Sequence, residues 1–209
     1  DWYNEVVRPW APQQQYNLNV RGGTDKARYF ASLGYLNEGG IWRSNSSNFQ
    51  RFNFRSNMDI QITDALSASL SLSGQKGKRN SSPWDPFYVM ASIQQTFPTS
   101  HVYANNNPNY YAATNIVARN AKAVTDPDIM GYDKSQNKRF EGTASLTYDF
   151  QKIKGLSLKG LFYYRNIDDY RNLFQKKYNY YAYDKAADKY DVAFTGFNPS
   201  NLKRSMWND

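Results

Sequence analysis

Arg51, Asn53, Arg55, Asn57 and Asp59 occupy every second position of one short stretch, and a β-strand would place all five on a single face. Guanidinium, amide and carboxylate groups in such a row hydrogen-bond sugar hydroxyls, peptide backbone or the carboxylates of a packed protein surface. A second candidate set is aromatic. Trp42, Trp84, Tyr103, Tyr110 and Tyr111 lie in segments rich in Gly, Asn, Ser and Pro, where flat rings stack on sugar faces or pack against a covering protein. Both sets have a plainer reading: a polar cavity needs polar residues of any kind, and loop rings also hold loops together.

Most bond-making chemistry is excluded by what the chain lacks. There is no cysteine, hence no disulfide framework and no thiolate metal site. The single histidine, His101, sits in the loop-like FPTSHVYANNNP, so a site of paired imidazoles is impossible. Ser73-Gly74-Gln75-Lys76 spells S-x-x-K without its companion motifs. Asp126-Pro127-Asp128 opens like a calcium loop, but Met130 stands at a ligand position and Asn137 where the bidentate Glu belongs. The sequons at Asn45 and Asn80 are set aside as chance matches. No phosphate-cradling glycine loop and no acid–base carboxylate pair occurs. The reading is a protein that is not an enzyme, with no cofactor and no bound metal.

The formal charge of +8 invites a nucleic-acid reading, but Lys and Arg are spread along the chain and their densest cluster, Lys76-Gly77-Lys78-Arg79, is short. No nucleic-acid partner is expected. An aromatic content of 17 %, with eighteen tyrosines, points instead to a surface apolar at one end and wet at the other. No apolar run is long enough for a transmembrane helix. The opening DWYNEVVRPWAPQQQ lacks a basic–apolar leader, which suits a processed chain or an internal stretch of a longer one.

The elements that must position the candidate residues follow from period-two alternation. Phe52, Phe54, Met58, Ile60 and Ile62 share one parity against the polar set of Arg51 to Asp59; after Thr63-Asp64-Ala65, the residues Leu66, Ala68, Leu70 and Leu72 alternate with Ser67, Ser69, Ser71 and Ser73. Similar patterns predict strands over roughly 15–22, 27–37, 50–62, 66–76, 139–150 and 156–168. Gly22-Gly23 and the 151–155 stretch are turns. Residues 77–138 read as one long outer loop, with a short helix possible over Asp85 to Thr96. Connections thus run short, long, short, very long, short, long, which puts every tight turn at one end of an antiparallel meander. The fold class is all-β, an up-and-down meander of about six to eight strands. Two architectures fit the oily parity: the lipid face of a transmembrane β-barrel, or the core of a soluble β-sandwich. The loop asymmetry favours the barrel. The sandwich, a secreted aromatic-rich carbohydrate-binding module, would bury Phe52, Phe54, Leu70 and Leu72 against a second sheet.

The blocks Tyr16-Asn17-Leu18-Asn19-Val20-Arg21-Gly22-Gly23-Thr24-Asp25-Lys26, Tyr29 to Gly40, and Arg51-Phe52-Asn53-Phe54-Arg55-Ser56-Asn57-Met58-Asp59 with the following Ile-Thr-Asp-Ala-Leu turn resemble the SusC/RagA-like TonB-dependent outer-membrane transporters of Bacteroidetes. Asp1-Trp2 fits the same pattern, and the resemblance covers residues 1 to about 76. It implies that residues 1–209 are part of a roughly 22-stranded transmembrane β-barrel with long extracellular loops and an N-terminal plug. It also implies import of oligosaccharides or peptides with energy from TonB, which would engage a region not recognisable in this chain. A SusD-like surface lipoprotein as lid and outer-membrane lipid around the barrel complete the implied partners. On that reading Arg51, Asn53, Arg55, Asn57 and Asp59 face the lumen or plug, and the loop aromatics face substrate or lid.

Overall fold

The computed structural model describes residues 1–115 and 119–196, together with the backbone of 202–208. Its elements are α1 (Trp2–Val6), β1 (Gln13–Gly23), β2 (Ala27–Gly39), β3 (Asn48–Gln61), β4 (Leu66–Ser81), α2 (Pro86–Gln95), α3 (Pro127–Met130), β5 (Gly131–Asp149), β6 (Ser157–Gln175), β7 (Tyr178–Asp184), β8 (Lys189–Gly196) and β9 (Leu202–Asn208). Seven strands form one antiparallel sheet in the order β1-β2-β3-β4-β5-β6-β9, and β7-β8 is a separate hairpin. From β1 to β6 neighbours in sequence are neighbours in the sheet, and β9 joins β6 after the β7-β8 hairpin. This is the up-and-down meander that the alternation predicts.

The turns at the tight end are built by side chains that satisfy local backbone donors. Thr24 Oγ1 accepts from the amides of Lys26 and Ala27, and Thr63 Oγ1 accepts from those of Ala65 and Leu66. Gly155 closes the third turn with φ 86°, a conformation that a Cβ disfavours.

The strands reach further than the oily alternation does. β4 continues to Ser81, β5 begins at Gly131 and not at 139, and β6 runs to Gln175 and not 168. Beyond the oily band both parities are polar, as in Lys134-Ser135-Gln136-Asn137-Lys138. The side-chain period therefore vanishes while the backbone ladder continues. The connection expected over 77–138 shortens accordingly to 82–130. It is folded: α2 starts at Pro86 behind the N-cap Asp85, and α3 is capped by Asp126, whose side chain accepts from Asp128 N.

Apolar burial lies almost wholly outside the large sheet. Among its described side chains only Leu36 is buried, whereas Trp2, Val6, Val7, Trp42, Val89, Ile93, Tyr111, Ala121, Ala123, Val124, Met130 and Tyr180 form one cluster. That cluster joins α1, the 40–47 loop, the 82–130 connection and the β7-β8 hairpin. No second sheet covers Phe52 or Phe54 among the described residues, which stand 55 % and 39 % exposed. The sandwich alternative is therefore overturned, because its oily parity would be a buried core.

Candidate functional site

Register places the five polar residues of β3 on one face, where Leu36 and Phe30 of β2 stand beside Arg51 and Asn57 and the β4 partners are Gly77, Gln75 and serines. Asn53 lies between Gly34 and Gln75, Arg55 between Ser32 and Ser73, and Asp59 between Arg28 and Ser69. Gly34 has no side chain where the Asn53 amide lies, so the close approach depends on that glycine. Ser71 donates its hydroxyl to Asn57 Oδ1 at 2.9 Å. β5 and β6 extend the same face with Arg139, Glu141 and Arg165, where Arg165 and Glu141 pair at 3.5 Å. Arg51, Asn53, Arg55, Gln75 and Arg139 line an open hollow of about 540 Å³. Arg51, Arg55 and Arg139 carry no ion pair among the described residues. The Arg51 Nε–H is buried without a partner. Such a surface offers forked donors and amides to polar solutes.

The opposite face is oily, and its boundary is slanted. One cross-strand row reads Tyr16–Tyr35–Phe52–Lys76–Lys138–Asp168, and the next towards the tight turns reads Leu18–Leu33–Phe54–Gly74–Phe140–Asn166. The continuous apolar run ends in the first row on β1 to β3, in the second on β5 and in the third on β4 and β6, at Leu72 and Tyr164, while Tyr132, Tyr170 and Phe174 stand farther out on the same parity. The lower edge steps down over β1 to β3, through Val20, Tyr29 and Ile60, and one row further runs level through Leu66, Tyr148 and Leu158. Two rows of descent over the three strand gaps from β3 to β6 correspond to a slope of roughly 40°, from about 3.3 Å per residue and 4.8 Å per strand. Strands of a membrane barrel tilt by 35–45° in general. A flat lipid layer crossing tilted strands leaves this slanted band; a sandwich core gives no reason for it. Aromatic rings mark its outer edge, with Tyr16 stacked on Tyr35 at 6.2 Å and Tyr35 tilted against Phe52 at 4.6 Å.

No family model matches the chain. A TonB-dependent receptor P26 of Formosa agariphila is 33 % identical over 66 residues, covering 32 % of this chain and 6 % of that protein. The TonB-dependent receptor SusC of Bacteroides thetaiotaomicron is 24 % identical over 177 residues, covering 76 % of this chain and 17 % of its own length. Two solved structures, of the RagAB peptide importer in its closed-closed state and of the RagAB peptide transporter, share the fold. Their TM-scores are 0.58 and 0.55 at 24 % and 22 % identity, each covering 82 % of this chain and 19 % of theirs. The chain is SusC/RagA-like. It spans under a fifth of the length of these relatives.

In this SusC/RagA-like chain the loop aromatics divide by burial. Trp42 and Tyr111 are 3 % and 8 % exposed and belong to the loop core, so neither offers a face to a solute. Trp84 and Tyr103 are half-buried against the same core. Tyr110 stacks on Tyr190 of β8 at 4.0 Å and meets Tyr181 edge-on at 4.9 Å, tying the 82–130 connection to the hairpin. Burial, and next a 2.7 Å hydrogen bond to Asp126, pushes the Tyr111 phenol well above its usual range. Fully buried Asn120 organises the connection: its Nδ2 donates to the carbonyls of Val102 and Ala112, and its Oδ1 accepts from Lys122 N and Ala123 N. Lys122 in turn reaches Glu5 of the N-terminal segment at 2.7 Å.

The exposed rings are others. Trp10, Phe87 and Phe97 are 70 %, 72 % and 60 % exposed on the same module. On the polar face of β6, Leu161 and Tyr163 break the expected pattern with large exposed apolar area. The unbroken run Leu161-Phe162-Tyr163-Tyr164 is the sequence signal for both parities being apolar there. Nothing in the sequence singles out Asn120, whose role is set by what surrounds it.

Proposed function

We propose that the chain is a wall section of an outer-membrane barrel that imports oligosaccharides or peptides with energy delivered by TonB. The slanted oily band carries this reading, because it fits strands crossing a lipid layer with their Arg/Asn face turned inward. On it, Arg51, Asn53, Arg55, Asn57 and Asp59 face the lumen or the plug and supply hydrogen bonds to a polar cargo. Trp84, Tyr103 and Tyr110 keep partly exposed edges for cargo or for a SusD-like lipoprotein lid, while Trp42 and Tyr111 hold the outer loops in shape. Receptors and transporters do no bond chemistry, which agrees with a surface of unreactive donors. The location is a Gram-negative outer membrane of the Bacteroidetes type, with TonB engaging a part of the protein outside these residues.

The full-length protein should fractionate with outer membranes and need detergent for extraction. Recovery from the soluble periplasmic fraction would end the proposal. Replacing Arg51 and Arg55 together by Gln should lower uptake of the cargo about tenfold or more, with outer-membrane abundance unchanged, since each charge-assisted bond is worth roughly 1.5–3 kcal/mol. Uptake indifferent to both changes would remove these residues from the transport path.

A further inference from the structure

Lys76, Lys78 and Lys138 lie on the oily face, not on the polar one, and begin where the oily band stops. Lys76 continues the row of Tyr16, Tyr35 and Phe52 and is the cross-strand partner of Lys138; Lys78 follows one step out along β4. All three are exposed. Like charges set directly opposite one another in a sheet are destabilising unless a counter-charge lies between them. Asp168 supplies one, at 3.0 Å from Lys138 Nζ, with both side chains substantially exposed. Lys76 and Lys78 have no ion pair among the described residues. Their other neighbours on this face are Gln50 and Gln136, which add amide donors and no negative charge.

Resting on the barrel reading, we infer that Lys76, Lys78 and Lys138 form a binding site for the anionic phosphate headgroup of an outer-leaflet lipid. The acyl chains have a place to lie. Beside the lysines, in their own row and the next towards the tight turns, Tyr16, Leu18, Leu33, Tyr35, Phe52 and Phe54 line an apolar hollow of about 890 Å³ that Lys76 and Lys138 rim. Lysine stems run along apolar surface and deliver their ammonium groups to headgroup level. Basic clusters at that level recognise lipid phosphate electrostatically. The inner face uses arginine in corresponding rows, at Arg51, Arg55 and Arg139, so at this level of the sheet the two faces carry different cations, while Lys159 stands on the inner face near the tight turns. Forked guanidinium donors face a polar cargo, and compact ammonium charges face lipid.

The test uses the full-length protein in detergent, titrated with dioleoyl phosphatidylglycerol, dioleoyl phosphatidylcholine or inorganic phosphate and read by native mass spectrometry. Phosphatidylglycerol should be retained in preference to phosphatidylcholine, and inorganic phosphate should bind far more weakly than the lipid. Lys76→Gln with Lys78→Gln should weaken phosphatidylglycerol binding about tenfold or more, the loss expected of two headgroup-level charges. Lys185→Gln, in the β7-β8 turn, should leave it unchanged. Lys76→Arg with Lys78→Arg keeps the charge and should keep most of the binding, which separates a lost site from a damaged fold. Equal binding of the two lipids, lipid binding that survives the Gln pair, or free phosphate binding as tightly as the lipid each overturns the inference. Fractionation of the unaltered protein is measured alongside: a soluble protein sinks the transport reading, whereas a membrane protein with lysine-indifferent lipid binding sinks this inference alone.

Discussion

Asn120 shows how much of the outer module hangs on one side chain. Its amide satisfies two carbonyls and two backbone N–H groups at no exposure to solvent. Asn120→Ala would leave those groups without partners, at a cost of roughly 2–4 kcal/mol. The expected result is rapid cleavage of the 82–130 connection by added protease in intact outer membranes, while the barrel stays folded. Tyr111 adds a pH dependence. Its folded-state pKa is raised above the ordinary phenol value near 10, so its contribution is complete below that pH and is lost as pH climbs above it. Protection of the loop from protease should therefore weaken from pH 10 upward. Tyr111→Phe should flatten that part of the profile while losing about 1 kcal/mol from the hydrogen bond to Asp126; an unchanged profile would show that another group governs it.

β4 allows the two faces of the sheet to be compared within one strand. Leu70, between Met58 and Ala144, lies inside the oily band, and Ser69, between Asp59 and Ser145, lies on the polar face. Leu70→Arg should cost about 2–4 kcal/mol when the full-length protein is refolded from urea into lipid vesicles, while Ser69→Arg should cost under about 1 kcal/mol. Equal costs would contradict a lipid-facing band. The adjacent Gly74 has its own packing reason: the Phe54 ring lies where a Cβ would stand, so the glycine lets an aromatic cover the ladder.

Across the whole molecule the oily side of the sheet is open while the outer loops own the core. β1 presents one unpaired edge, and β9 pairs only with the Asp168–Phe174 part of β6, leaving the rest of that edge open among the described residues. Exposed edges and a continuous apolar band template association between copies. Residues 1–209 produced alone in water should therefore form large assemblies by light scattering, and detergent should be required to disperse them. A monodisperse monomer in plain buffer would contradict the open-edged sheet.

Period-two alternation determined the meander, the side of β3 on which Arg51 to Asp59 stand, and the end at which the long connections gather, because a strand's side-chain direction is a local property of the backbone. The short helix after Pro86 was legible for the same reason: Asp85 and Pro86 cap it locally. The strand ends around Lys134–Lys138 and Asp168–Gln175 were not, since alternation disappears where both faces are wet while hydrogen bonding continues. Only the tertiary structure decided that Trp42 and Tyr111 are buried, that Asn120 is the hub of the loops, and that Lys76 and Lys138 meet across two strands at the rim of the oily band. Those facts depend on contacts between residues far apart in the chain, and their energies come from partners that no local pattern names.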